Sequence, residues 1–197
     1  MFAEMFRHFR TMKGPLAVAA VLFAAGIWIG AQTDAFGRLL DDQLESLSET
    51  AEALGKLENA QWWFGLFIFL NNTVKSIIVM YLGLLFGLLP AAFLLINGMV
   101  LGHLFASLDA QGVHVWELIV KGLLPHGILE IPAIVLACGY GLRMGSAAVA
   151  ALTGRPGARS ELKQVMVVSL PLMLFLALVL GAAAVVESTV TVWLLSM

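Results

Sequence analysis

His126 and Glu130 stand four residues apart in "KGLLPHGILEIPA", so one helix carries both on one face. An imidazole beside a carboxylate suits three kinds of chemistry. The pair can relay a proton, hold part of a metal ion's coordination shell, or clamp an opposite charge. Two ligands at this spacing are far less specific than a complete HExxH motif. Pro125 and Gly127 flank His126 and favour a break in the helix, with the new helix starting at His126 or Gly127. A helix N-terminus at that point favours a carboxylate or other anion nearby.

The flanks are almost wholly apolar, and so is the chain. Of its 197 residues, 60% are hydrophobic and only 12% charged, with a mean hydropathy of +0.94. A soluble domain carries about a quarter charged residues, so this composition leaves too little polar surface to coat a globule. The expected class is an all-α integral membrane bundle. The charge balance gives no basic surface for a nucleic acid. Cys138 is the single cysteine and lies in an apolar run, which excludes an internal disulfide and a thiolate metal cluster. Nothing in the sequence requires a cofactor.

Other polar residues interrupt the apolar runs: Asn71, Asn72, Lys75, Asn97 and His103. A charge at the bilayer centre costs roughly 2.5–3.5 kcal/mol on insertion scales, so such residues face a bundle interior or a wet cavity. The expected arrangement is one polar cluster holding these five with His126 and Glu130. Lys75 is the natural counter-charge for Glu130, and His103 is a third metal-ligand candidate beside His126 and Glu130. No nucleophile–base pair is evident.

The elements that must position these residues follow from hydropathy. A spanning helix needs about 20 apolar residues for a core of about 30 Å. Residues 1–14 place Phe2, Met5, Phe6, Phe9 and Met12 on one face, as an interfacial helix would. Pro15 to Ala31 reads as an uncleaved first crossing, with Pro15 in its first turn. Residues 34–58 form an acidic helix with seven acids and a stripe of Leu40, Leu44, Leu47, Ala51 and Leu54. That stripe needs a partner surface: the chain's own bundle, a second copy, or another protein docking at Leu44, Leu47 and Leu54. Residues 61–197 form the polytopic core. Its crossings are expected near 70–89, 91–107, 127–150 and 162–186, with 61–70 and 115–124 as one or two half-membrane, re-entrant helices; for the first, one long tilted helix through 61–89 is the alternative. The two units 61–107 and 115–186 share a weak repeat of half-helix, polar step and two crossings. Pairs Gly83/Gly87, Gly98/Gly102 and Gly141/Gly145 are spaced for close helix contact.

Arg7, Arg10 and Lys13, and later Arg143, Arg155, Arg159 and Lys163, mark two segments for the cytoplasm. The expected location is therefore the inner cell membrane, five crossings, N-terminus cytoplasmic, acidic helix and C-terminus outside.

The runs "FLNNTVKS", "LLINGMVLGHLF" and "GLLPHGILEIPAIVLACGYGLRMG" together resemble the stage II sporulation protein M family. The matching features are Asn71-Asn72, Asn97-Gly98 and Pro125-His126-Gly127 with Glu130. The resemblance implies a multi-pass membrane protein. The family's founding member is a membrane scaffold for cell-wall-degrading partners in endospore engulfment, while many relatives occur in bacteria and archaea that do not sporulate. It implies no catalytic residue. The resulting expectation is a scaffold that positions envelope or peptidoglycan-remodelling partners. A transport subunit working with a cytoplasmic ATPase is the alternative, and an intramembrane metalloenzyme comes third. Lipids and a protein partner or homodimer are the expected contacts.

Overall fold

A computed structural model describes residues 12–32, 37–56, 58–195 and 197. The described residues form helices α1 (Lys13–Gln32), α2 (Gly37–Gly55), α3 (Ala60–Leu82), α4 (Leu88–Ala110), α5 (Val115–Leu118), α6 (Leu124–Leu152), α7 (Ala158–Val186) and α8 (Val192–Leu195). Two π-helical turns, π1 (Ile119–Leu123) and π2 (Glu187–Thr191), join α5 to α6 and α7 to α8. Helix satisfies every internal backbone group without water, which is why an apolar chain adopts it across a membrane. Five helical stretches are long and apolar enough to cross: Lys13–Gln32, Ala60–Leu82, Leu88–Ala110, Val115–Leu152 and Ala158–Leu194. The protein is an all-α, multi-pass membrane bundle.

Two sequence expectations are corrected here. The second crossing is α3, which runs unbroken from Ala60 to Leu82 in place of a half-helix and a crossing at 70–89. Residues 115–152 likewise run as one 38-residue stretch and not as a half-membrane entry followed by a restart. The reason lies at π1. Proline lacks the N–H that an α-helix needs and its ring crowds the carbonyl one turn back. The wider π turn absorbs this: the Leu124 N–H donates to the Ile119 carbonyl, five residues back. Pro125 then enters α6 at its first turn, where no N–H is missed. The repeat of half-helices has no counterpart in this arrangement.

Glycine seams hold the helices close. Between α1 and α4, Gly26 faces Gly98, Gly30 packs on Met99 and Gly102 on Ile27. A Cβ on Gly98 would lie 2.9 Å from the Ile27 nitrogen, and one on Gly30 only 2.6 Å from the Met99 Cα. The second seam joins the α3–α4 turn to α6. There a Cβ on Gly145 would lie 2.7 Å from the Gly87 Cα. Gly87 has φ 76° and closes the turn after Phe86, itself left-handed at φ 61°. Backbones that approach this closely gain van der Waals contact, the main packing force where lipid replaces water. Around the seams lie two apolar clusters, one including Met80, Tyr140, Met144, Leu172 and Leu176, the other Ala19, Leu94 and Cys138.

The bundle has two chemically distinct ends. At the basic end, Arg143 and Arg155 both bond Glu161, beside the turn that carries Gly154 and Gly157 at positive φ. At the acidic end lies α2, with Asp41, Asp42, Glu45, Glu49 and Glu52 exposed. The interfacial segment expected at 1–14 falls outside the described residues up to position 11. The docking residues Leu44 and Leu47 lie outside the described side chains, and Leu54 is half-buried.

Candidate intramembrane cation site

The polar residues expected in one cluster are dispersed. The Asn71 amide donates to the neighbouring Asn72 carbonyl oxygen at 3.2 Å. Asn97 bonds back to the Phe93 carbonyl at 2.8 Å, within α4. His103 does not join His126 and Glu130. Its Nε2 lies 2.8 Å from Asp41 Oδ1, which fastens α2 to α4 at the acidic end. Lys75 is exposed on α3, and among the described residues no ion pair joins it to Glu130. The physical reason is helix phase. Thr73, Ser76 and Met80 are the buried face of α3 at this level, and Lys75 falls outside that stripe.

What His126 and Glu130 meet is Glu187. One ligand atom from each of His126, Glu130 and Glu187 lies within 4.8 Å of the other two, and all three side chains are partly buried. His126 and Glu130 come from the start of α6, and Glu187 opens π2. Thr191, 5% exposed, completes the group: its Oγ1 lies 3.3 Å from His126 Nδ1. With the proton on Nδ1, the ring donates to Thr191 and leaves Nε2 with a free lone pair.

The depth of the group follows from the seams. Gly83 packs on Gly141. Eleven residues separate Gly83 from Asn72, and eleven separate Gly141 from Glu130, or about 16 Å at 1.5 Å per residue. Asn72 and Glu130 therefore share a level. Glu130 stands thirteen residues, about 20 Å, from Arg143 at the basic end. That places it inside an apolar core of about 30 Å, in the half nearer the acidic end. On the other flank, Gly65 of α3 packs on Ser188 of π2. A cleft of about 520 Å³ lies against π2 at the acidic end, lined by Gln61, Phe64, Ser188, Thr189, Val192 and Trp193.

Both π turns flank the cluster. A π turn inserts one residue into a helix and rotates the helix beyond it by about 100°, and such insertions concentrate at functional sites. Here π1 sets the phase at which α6 presents His126, and π2 carries Glu187 and Thr191. Glu187 and Thr191 were missed in the sequence, where the C-terminal end was expected only to lie outside the membrane. The available signal was an acid inside "AAAVVESTVTVW" with a hydroxyl four residues on, the same spacing as His126 and Glu130.

The charge content limits what the group can do. Among the described residues, no lysine or arginine pairs with Glu130 or Glu187. Two carboxylates and one imidazole share the site. A structural clamp balances opposite charges, and this set is short of positive charge by at least one. Within the apolar core the deficit is costly, so a proton or a bound cation must fill it.

Neither curated proteins nor solved structures gave a match to the chain. The family model described as stage II sporulation protein M matches residues 16–192, from the first turn of α1 into α8 and across every residue of the cluster. The chain belongs to the stage II sporulation protein M family.

Proposed function

We propose that this protein is a membrane transport subunit whose His126–Glu130–Glu187 cluster binds and releases a cation. The observation that supports this reading is the meeting of two carboxylates and an imidazole from α6 and π2, without a basic partner among the described residues, inside a membrane bundle. Intramembrane acids of this kind mark ion and proton pathways. The cleft at the acidic end borders π2, the turn that carries Glu187, and the π turns supply a place where helix phase can change. The experiment is cation flux in native membrane vesicles, which retain any partner subunit, with proton- and metal-sensitive dyes inside. Overproducing the chain raises flux, and Glu130→Gln removes the rise. Equal flux with and without the chain defeats the reading.

The basic end is the cytoplasmic side in this proposal, because Arg143, Arg155, Arg159 and Lys163 gather there. A cysteine at Ser160 is then closed to an impermeant thiol reagent on intact cells, and one at Glu49 is open to it. Labelling at Ser160 without lysis reverses the orientation.

A scaffolding role is the second reading, favoured by the exposed acids of α2. Their charge suits a basic protein partner outside the membrane. Reversing Glu45 and Glu49 to lysine then releases partners captured by crosslinking, and leaves flux untouched.

A further inference from the structure

We infer that His126, Glu130 and Glu187 bind one divalent transition-metal ion, of which Zn²⁺ is the convenient probe. The inference rests on the cation reading of this site and names its occupant.

The donor set separates metals from protons and from one another. A proton shared by two carboxylates needs no imidazole. Here an imidazole nitrogen and two carboxylate oxygens lie within 4.8 Å of each other. Ligands around a tetrahedral ion at about 2.1 Å stand roughly 3.4 Å apart. The three groups therefore need to draw together by at most about 1.4 Å to close on one ion, which carboxylate rotation supplies. Two carboxylates and a neutral imidazole carry −2, which a divalent ion cancels. Calcium and magnesium prefer shells made of oxygen, whereas imidazole suits zinc, iron, nickel and copper.

Thr191 is an independent observation. Metal-ligating histidines donate their second ring N–H to a fixed acceptor, which sets the tautomer and aims the lone pair. With Nε2 as the ligand atom, the buried Thr191 hydroxyl stands at that place, 3.3 Å from Nδ1. It comes from the same π turn as Glu187, so π2 supplies one ligand and orients another. Three protein ligands leave at least one coordination position for water or a transported group, on a turn that adjoins the acidic-end cleft.

The test uses the full chain, purified in lipid nanodiscs and stripped with a chelator. Calorimetric titration with Zn²⁺ is expected to give one high-affinity ion per chain, with Mg²⁺ giving none. His126→Gln and Glu187→Gln each weaken Zn²⁺ binding at least 100-fold, and Thr191→Val weakens it about 10-fold. Because a variant can misfold, Co²⁺ loaded into the unmodified protein provides a second readout: its visible spectrum reports nitrogen and oxygen ligation. The acidic helix is controlled by Glu45→Gln/Glu49→Gln, which leaves the stoichiometry at one. No Zn²⁺ bound to the unmodified chain overturns the inference. So does Zn²⁺ binding that survives His126→Gln and Glu187→Gln in folded protein, or that disappears with the α2 change. Cation flux without Zn²⁺ binding sinks the metal assignment and leaves the transport reading standing. Zn²⁺ bound at the cluster without flux does the reverse, and makes the metal structural.

Discussion

Among the described residues, Arg143, Arg155 and Glu161 form one ionic group, and His126, Glu130 and Glu187 form another. Both join α6 to the helix after it. The first sits at the basic end, with two guanidinium groups on one carboxylate, and each Arg–Glu contact is a direct ion pair. Its excess positive charge faces the interface, where water and lipid phosphates are at hand. The second lies within the apolar core, has two carboxylates, and has no direct ion pair among the described residues. Attraction that is complete within the protein is sufficient to explain the first group as a staple. On the transport reading the second is completed by a cation from outside the chain, and this difference separates a structural charge from a working one.

The strongest test is to exchange the deficits. Glu130→Gln removes one of two unpaired acids. Flux is expected to fall at least tenfold, and the melting temperature to hold or rise because a buried like charge has gone. Vesicle flux and thermal melting on the same preparation check this. A variant that melts earlier while its remaining folded fraction transports normally would reassign Glu130 to the staple class.

Glu161→Gln is the converse. It strips two arginines of their shared anion, one of them only 24% exposed. Stability is expected to drop by on the order of 1–3 kcal/mol, as for lost hydrogen bonds to charged groups, discounted for solvent screening. Chemical denaturation in detergent measures it. Flux per folded molecule is expected to stay unchanged, since Glu161 lies far from the cluster along the chain axis.

A neutral contact between α3 and α7 gives a scale for both. The Tyr81 hydroxyl lies 2.9 Å from Ser169 Oγ and 3.1 Å from the Met173 sulfur. Ser169 gives its own proton to the Met166 carbonyl at 2.6 Å, so the single Tyr81 proton is shared between Ser169 Oγ and the Met173 sulfur. Tyr81→Phe leaves no unsatisfied donor behind. Its cost is expected near 0.6 kcal/mol, the average for interhelical hydrogen bonds in membranes. A loss above about 2 kcal/mol, beyond the largest such bond on that scale, would show that polar contacts in this bundle are unusually strong.

The membrane class, the all-α bundle and the glycine spacing were legible in the sequence because each depends on composition or short-range periodicity. The site was half legible. His126 and Glu130 announced themselves through one helical turn of spacing. Glu187 did not, because its relation to them is tertiary and depends on a π turn, which has no composition signature. Pro125 misled: a proline in an apolar run reads as a break, and the π turn that absorbs it is invisible to a count of 3.6 residues. His103 misled for a different reason, since its partner Asp41 lies 62 residues away on a surface helix.

Lys75 carries the smallest expected effect and sharpens the contrast between the two groups most. Depth alone made it the counter-charge for Glu130, but helix phase puts it on the exposed side of α3. A lone ammonium on a four-carbon stem need not pair: it can extend along the apolar surface to the nearer interface. From Lys75 to the end of α3 at Leu82 is seven residues, about 10 Å, within partial reach of that stem. Lys75→Met is therefore expected to change stability by no more than about 0.5 kcal/mol, as at exposed sites generally. Combined with Glu130→Gln, the two changes should add, because groups without a shared partner do not couple. A double-mutant cycle in detergent reads the coupling directly. A coupling above about 1 kcal/mol would mean that Lys75 reaches the cluster after all. The acids would then have their own cation, and none from outside the chain would be required.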